Sequence, residues 1–426
     1  MESQARERRP LIALVGPGLM LAATGVGAGD LAGAAFAGMK LGTTVLWAVL
    51  LGAFFKYVAT EGLARWQLAT GSTFLEGSMQ RFGPVVRWAF LVYLVIWSFG
   101  VGVSLASACG VAAHALFPVF EDPARAKVVF GMLHSLLGLL LVWGGSFRTL
   151  ERLMTVLVAV MIVVVLLSGV LTPADGSAVL RGLFVPRIPD LPEAVPWTMA
   201  LMGGVGGTLT VLCYGYWIRE EGRSGRKDLA LCRWDLGISY ALIALFGIAM
   251  VLIADGMSLP GKGATLVVAL ADRLGENTSP AFRTLFLLGA WAAVFSSLLG
   301  VWQAVPYLFA DFWQLERHRR GGKADSPAPV RVDTRGFPYR IYLIGLAVLP
   351  LFGLRYDFQL IQKLYAVVGA LVMPMLALAL MWMNGRGAGI GSDWKNRWWT
   401  TLALLIVLAF FLWVGMPSLL QSIGIP

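Results

Sequence analysis

The sequence contains few charged residues, few cysteines and few histidines. Charged residues make up 14% of its 426 positions, and cysteine and histidine each occur three times. An average soluble domain is about 25% charged, so this composition excludes a soluble globular protein. Cys109, Cys213 and Cys232 have no CxxC spacing, which excludes a disulfide framework and a cysteine metal site. We expect these cysteines to be packing residues in the core.

Motifs for catalysis and for nucleic-acid binding are also missing. The sequence has no HExxH, P-loop, dinucleotide-binding or nucleophile–base pattern. No basic stretch is interleaved with aromatic residues, as nucleic-acid binding would require. The sequence therefore predicts neither an enzyme nor a nucleic-acid-binding protein, and it indicates no cofactor and no obligate protein partner.

Long apolar runs make up most of the chain. Hydrophobic residues account for 58% of the sequence, and the mean hydropathy is +0.74. A membrane-crossing helix needs about 20 mostly apolar residues. Eleven segments meet this requirement: 11–39, 44–69, 85–115, 126–144, 149–171, 196–218, 230–254, 281–310, 338–354, 357–383 and 398–420. The alternating pattern of a membrane barrel is absent, so we predict an all-α integral membrane protein with eleven transmembrane helices, surrounded by membrane lipid.

The distribution of Lys and Arg predicts the orientation in the membrane. With the N-terminus inside, the cytoplasmic connections hold 22 Lys and Arg residues and the external ones hold 10. Cytoplasmic loops carry the excess of positive charge in membrane proteins. We therefore predict a multi-pass protein of the cell membrane with a cytoplasmic N-terminus and an external C-terminus. The net charge of +10 is a consequence of this topology.

Three glycines and an aspartate interrupt the first span. Gly25, Gly27 and Gly29 precede Asp30 in the stretch "AATGVGAGD". Glycine costs about 1 kcal/mol in a helix interior relative to alanine, and an Asp at the bilayer centre costs roughly 2.5 to 3.5 kcal/mol. We expect the chain to leave helical geometry here, which membrane proteins tolerate only where the backbone lines a cavity.

A similar interruption recurs five spans later. The Gly-Val-Gly of residues 204–206 repeats that of residues 25–27, and a proline precedes each central valine by nine positions. Paired broken helices are typical of transporters built from inverted repeats. The sequence thus predicts one transmembrane domain over 1–426. Its five-plus-five inverted repeat covers about 11–171 and 196–383, helices 1 and 6 are broken, and an extra helix lies at about 398–420.

Asp30 and Thr208 close the two interruptions. Either side chain can cap free N–H groups at the start of the half-helix that follows. Asp30 can in addition face a substrate or bind a cation, and both roles stay open for it. For Thr208 we favour capping alone.

Three ionisable residues, Lys56, Glu61 and Arg65, lie within span 2 and are candidates for ion coupling. Glu61 and Arg65 are four residues apart, so they share a helix face and can pair. We favour this structural pairing over a proton relay.

Other polar and aromatic side chains have simpler interpretations. Ser296 and Ser297 could offer oxygens to a second cation, although hydroxyls in membrane helices often bond only to backbone. Tyr214, Tyr216 and Trp217 end span 6 and predict an aromatic anchor at the membrane interface.

Around these residues the sequence resembles the Nramp family of proton-coupled divalent-metal transporters. "GPGLMLAATGVGAGD" is similar to the Gly-Pro-Gly start and the Asp-Pro-Gly-Asn break of that family. "EGLARWQLATGSTFLEG" is similar to its "ARLGIATG…LAE" segment, and "VMPMLALAL" in span 10 is also similar. The resemblance implies the inverted-repeat fold shared with many amino-acid and sodium symporters.

The sequence departs from the family at the metal site that the resemblance implies. The family's motif Asp aligns with Gly27 and its Asn with Asp30, while its span-6 Met-Pro-His reads Val-Gly-Gly at 205–207. Met202 would supply a backbone carbonyl, and Asp30 remains as the side-chain metal ligand. Soft sulfur ligands favour transition metals, so the loss of the family's Met argues against a manganese- or iron-selective site of the usual kind. The remaining carboxylate, carbonyl and water ligands favour Mg²⁺, Ca²⁺ or Mn²⁺.

These observations predict a secondary transporter that works by alternating access, with a divalent cation as its substrate and coupling to protons or other ions left open. One alternative is a small organic solute such as an amino acid, whose carboxylate would meet the half-helix N-termini. Another is a transport-inactive sensor with the same fold. The candidate substrate-binding residues are Thr24, Gly25, Gly27, Asp30, Met202, Val205, Gly206 and Thr208, with Asp30 as the metal ligand.

Overall fold

A computed structural model describes residues 16–191, 193–258, 263, 265–320, 332–385 and 390–415. Within these residues the secondary structure is helical and includes no strand, which confirms the all-α prediction. The physical reason is that a helix satisfies its own backbone hydrogen bonds, as lipid requires. The α-helices are α1 Gly16–Gly25, α2 Ala34–Leu41, α3 Leu46–Thr70, α4 Phe74–Arg81, α5 Pro84–Leu116, α6 Pro123–Gly144, α7 Phe147–Leu171, α8 Gly176–Phe184, α9 Ala194–Gly204, α10 Tyr214–Glu220, α11 Leu229–Ala254, α12 Leu266–Asn277, α13 Pro280–Arg320, α14 Phe337–Val348, α15 Phe358–Ala370, α16 Val372–Gly385 and α17 Trp398–Phe410.

The predicted spans overlap these helices, although the second half of span 1 continues with span 2 into one helical segment, Gly29–Thr70. Eight helical segments among the described residues are long and apolar enough to cross a membrane. The segments Phe337–Gly353 and Trp398–Val414, where spans 9 and 11 are predicted, are shorter apolar helices. The ends of spans 1 and 11, at 11–15 and 416–420, lie outside the described residues. Eleven crossings and the two repeat boundaries therefore remain predictions.

Three short helices, α4, α8 and α12, lie outside the predicted spans. α4 begins with a capping box, in which Thr73 and Glu76 each accept a hydrogen bond from the other's backbone N–H. A Thr three positions before a Glu is the sequence pattern of such a box, so the start of α4 was recognisable in the sequence. α8 is preceded by the capping residue Asp175, whose side chain accepts from the Ser177 N–H.

Both predicted helix breaks are present. After α1 ends at Gly25, the chain forms a π-helical turn over Ala28–Gly33 before α2 begins. After α9 ends at Gly204, a 3₁₀ turn over Leu209–Cys213 precedes α10. We call residues 24–33, which include the end of α1, the first break, and residues 202–213, which include the end of α9, the second break. The glycine-rich composition allows both departures from helical geometry, as the sequence predicted.

Candidate functional site

The two breaks meet backbone to backbone. A Cβ atom placed on Gly25 would lie 2.8 Å from Gly207 N and 2.9 Å from Gly206 Cα. Gly206 and Gly207 have φ angles of +73° and +82°, a conformation that glycine adopts at no steric cost. Any side chain larger than a hydrogen atom would push the breaks apart, so the glycines are needed for this approach.

We predict that Gly25→Ala destabilises the protein by about 1–3 kcal/mol, the usual cost of overpacking a filled core. Gly33→Ala is the matched control, because Gly33 lies in the first break and a Cβ there meets no atom within 4 Å. Thermal melting of the two purified variants in detergent measures the difference. Equal melting temperatures would show that the breaks do not need to touch.

Asp30 lies where the breaks meet. Its side chain is completely buried, and its carboxylate accepts the backbone N–H of Gly206, at 3.0 Å to Oδ2 and 3.3 Å to Oδ1. Its hydrogen-bond donor thus belongs to the second break, 176 residues away in the sequence. Asp30 does not cap the following half-helix as predicted, because it lies inside the π-helical turn Ala28–Gly33 and its carboxylate accepts from the Gly206 N–H. The carboxylate binds across the two breaks instead.

Lys56 reaches the same place from α3. Its side chain is also completely buried. Its ammonium group donates to the carbonyl oxygen of Gly203 at 2.6 Å and to those of Val205 and Gly207. The sequence marked Lys56 only as a possible coupling residue, and the structure places its charge on the backbone of the second break.

The remaining candidate residues of the first break contact backbone groups and α13. The Thr24 hydroxyl donates to the Met20 carbonyl one turn earlier, at 2.7 Å, and the Thr24 carbonyl accepts from Ser297 at 2.5 Å. Gly27 packs against the Ser297 side chain of α13. Ser296 also bonds to backbone, at 2.9 Å from Ala293 O. The two serine hydroxyls therefore bond to backbone, as the simpler interpretation expected.

In the second break, Met202 and Thr208 differ from expectation. The Met202 carbonyl lies beside Gly52 of α3, where a Cβ would approach it to 2.6 Å. The carbonyls that bind a positive charge are those of residues 203, 205 and 207. Thr208 makes no capping bond, so the capping prediction is wrong, and its hydroxyl instead accepts from the Trp97 indole at 2.7 Å.

Glu61 and Arg65 form the predicted ion pair, with 2.7 Å between Glu61 Oε2 and Arg65 Nε. A second arginine, Arg233 of α11, binds the other carboxylate oxygen at 2.8 Å. Arg65 also donates to the carbonyls of Trp394 and Lys395. These contacts tie α3 to α11 and to the loop before α17, so the structural interpretation accounts for the pair. The structure shows no hydrogen bond or ion pair from it to Lys56.

A buried polar network that the sequence did not indicate lies at the N-terminal end of α1. Asp235 of α11 accepts from the Gly18 N–H at 2.9 Å, from the Tyr214 hydroxyl at 2.9 Å and from Arg223 at 2.8 Å. Burial lowers the pKa of Arg223, but Asp235, Tyr214 and Cys232 together more than offset burial, so the pKa lies above its ordinary value. Nothing in the local sequence could have paired residues 217 positions apart.

The aromatic anchor predicted at the end of span 6 is wrong. Tyr214, Tyr216 and Trp217 are buried, each no more than 3% exposed. Tyr216 donates to Asp311, and Trp217 donates to Gln303 at 3.3 Å. α10 lies inside the bundle, so its aromatic residues bind protein groups and not the membrane surface.

The site thus combines one carboxylate, one ammonium and a row of backbone carbonyls. Within the described part of the chain, no three His, Cys, Asp or Glu side chains lie together as a metal cluster would need. Any bound cation would therefore take most of its ligands from backbone oxygen and water. The three cysteines are free and buried, as expected.

The chain matches a known protein family over most of its length. The family described as "Natural resistance-associated macrophage protein-like" (Nramp) matches residues 18–421. The chain is 24% identical to a divalent metal cation transporter MntH of Verminephrobacter eiseniae, over 100% of this chain and 93% of the relative. It is 26% identical to an MntH of Mycobacterium tuberculosis, over 90% of this chain and 86% of the relative.

Solved structures share the fold. The Eremococcus coleocola manganese transporter, in complex with an aromatic bis-isothiourea compound, superposes with a TM-score of 0.77 at 15% identity, over 99% of this chain and 89% of that one. MhsT in complex with L-phenylalanine superposes with a TM-score of 0.62 at 15% identity, over 98% and 99% of the two chains. At 15% identity these superpositions show a common fold, and they do not identify the substrate of this chain.

Proposed function

The chain belongs to the Nramp family, and from that premise we propose that it is a secondary transporter that moves a divalent metal cation by alternating access. The family consists of metal transporters, so this multi-pass membrane protein is not an enzyme. One observation carries the proposal. The buried carboxylate of Asp30 and the backbone carbonyls of Gly203, Val205 and Gly207 lie together where the two breaks meet. Such paired breaks are where transporters of this architecture bind their substrates.

The ligand chemistry favours a hard cation. Carboxylate, carbonyl and water oxygens suit Mg²⁺, Ca²⁺ or Mn²⁺, whereas thioether and thiolate ligands select softer metals. Mg²⁺ keeps several of its waters and binds through one or two carboxylates, which a site with Asp30 as its carboxylate can satisfy. The divalent-metal transporters among the relatives support the same class of substrate.

Alternating access needs a gate on each side of the site, and the network around Asp235 has the properties of one gate. It joins the start of α1 to α11 through the Gly18 N–H, and to the segment after α10 through Arg223. Asp235, Tyr214 and Arg223 are each no more than 5% exposed, so opening this side requires breaking the network as a unit. The Lys and Arg distribution predicts that this side faces the cytoplasm.

Flux into proteoliposomes tests the proposal. Purified protein is reconstituted around an Mg²⁺- or Mn²⁺-sensitive dye, and parallel vesicles receive a radiolabelled amino-acid pool. We expect saturable entry of a divalent cation above that in protein-free vesicles. Uptake of an amino acid alone would favour the organic-solute alternative, and no uptake of any substrate would favour a sensor.

A further inference from the structure

Lys56 is the charged group that the mechanism of a metal transporter does not by itself explain. It lies in the middle of α3, inside a membrane-spanning segment, and its side chain is completely buried. Lysine is almost never fully buried without partners. A buried ammonium in a cation transporter therefore needs a specific role or a specific compensation.

The surroundings of the Lys56 ammonium are those of a bound cation. An ammonium has three N–H donors and no acceptor, and all three find carbonyl oxygens, those of Gly203, Val205 and Gly207. These are alternate residues of the second break, from the last turn of α9 to Gly207, and their carbonyls converge on one point. Rings of backbone carbonyls that replace a hydration shell are how membrane proteins bind small cations. We call these three oxygens the carbonyl cage.

The negative charge that balances the ammonium is the Asp30 carboxylate. The carboxylate binds the N–H of Gly206, which lies between two of the residues whose carbonyls bind Lys56. The two groups form no direct ion pair within 4 Å among the described residues, and both bind the second break. Asp30 accepts the Gly206 N–H, while Lys56 donates to the carbonyls on either side of Gly206. The second break is therefore bound by opposite charges through its two kinds of backbone group.

We propose that Lys56 supplies the resident cation of the site, so that its ammonium fills the carbonyl cage and a divalent cation must displace it to bind there. The identity of the incoming ion rests on the proposed function. A monovalent and a divalent cation only a few ångströms apart in a buried site repel each other strongly, because the effective dielectric constant is low. Lys56 and the metal ion therefore occupy the cage in turn.

Displacement is an exchange of cations in the carbonyl cage, in which a free metal ion replaces the ammonium of Lys56. With Lys56 in the cage, the breaks are bridged and Asp30 is compensated without substrate. With a metal ion in the cage, the ammonium no longer binds the three carbonyl oxygens, and the metal ion bridges the breaks instead. Lys56 thereby lowers the affinity for metal and keeps the empty site from carrying an uncompensated carboxylate.

The test measures metal binding to neutral variants of Lys56. Lys56→Met removes the charge and all donors, and Lys56→Gln removes the charge but keeps an amide donor for the carbonyls. Isothermal titration calorimetry with MgCl₂ and MnCl₂ on the purified full-length protein compares both with wild type. We expect at least tenfold tighter binding by both variants, because the competing cation is gone.

Lys127→Met is the matched control. Lys127 is also buried, at 4% exposure, and it donates to a backbone carbonyl, that of Tyr356, away from the breaks. This variant should bind metal as wild type does. The double variant Lys56→Met/Asp30→Asn should lose the gained affinity, since the carboxylate ligand is then absent. Unchanged or weaker binding by folded Lys56→Met and Lys56→Gln would overturn the proposal.

A structure of the wild-type protein in excess Mn²⁺ decides the matter if neither neutral variant folds. Displacement of the ammonium from the carbonyls of Gly203, Val205 and Gly207 supports the proposal, and an ammonium that keeps these carbonyls overturns it. Failure of this inference is distinct from failure of the proposed function. Wild-type metal flux without tighter binding by the variants contradicts only the role of Lys56. Tighter binding by the variants without wild-type flux contradicts only the transport.

Discussion

Asp30→Asn is expected to reduce divalent-cation flux into proteoliposomes by about 100-fold or more, equivalent to roughly 3 kcal/mol of binding free energy. The carboxylate is completely buried at the meeting point of the breaks. Asparagine has nearly the same shape and can still accept the Gly206 N–H through its amide oxygen, but it brings no negative charge to a cation. We expect the variant to remain folded and to be inactive.

Two further variants distinguish the loss of the metal ligand from the loss of any aspartate and from the effect of an uncompensated Lys56 charge. Asp272→Asn is the matched control, because Asp272 forms an ion pair with Arg283 at a partly exposed position, and we expect it to leave flux unchanged. In Asp30→Asn alone, the Lys56 charge has lost its acidic partner, so Lys56→Met/Asp30→Asn is measured as well. This double variant carries neither buried charge and should also be inactive. Normal flux through folded Asp30→Asn would show that Asp30 is not a metal ligand.

Asp235→Ala is expected to lower the free energy of unfolding by about 3–5 kcal/mol, the usual cost of removing one partner of a buried ion pair. The substitution removes the carboxylate that accepts from Arg223, from the Tyr214 hydroxyl and from the Gly18 N–H. A large fall in melting temperature in detergent is the expected measurement.

Asp393→Ala is the control for Asp235→Ala. Asp393 pairs with Arg226 at 2.7 Å, but both side chains are more than 60% exposed. Exposed pairs contribute about 0–1 kcal/mol, so this variant should melt close to wild type. If both variants melted alike, the network at the start of α1 would not hold this side of the protein closed.

Some features of the molecule follow from local patterns and were therefore predictable. Apolar length and low charge determine that the chain is a helical membrane protein, because lipid admits few other backbones. Clustered glycines determine where helices 1 and 6 break, since glycine both weakens a helix and allows the positive φ of Gly206 and Gly207. The pair of Glu61 and Arg65 is likewise local, because residues four apart on a helix are neighbours.

Local patterns also misled where a side chain had a distant partner available. Thr208 has the residue type and position of a helix cap, but its hydroxyl binds Trp97, 111 residues away. The aromatic residues of α10 have the composition of an interfacial anchor, yet the bundle encloses them. In both cases the packing of the bundle determined which partners were close enough to bind. The local sequence is compatible with the predicted role and with the observed one.

The class of fold, the two interruptions and the carboxylate at the first of them follow from local sequence. What that carboxylate faces depends on the packing of the whole bundle. This packing brings Lys56 of α3 to carbonyls about 150 residues further along the chain, and Asp30 to the Gly206 N–H in the same segment. The physical reason is that partners across a helical bundle depend on how the helices are rotated and spaced, which the sum of all their packing contacts determines and no short stretch of residues encodes.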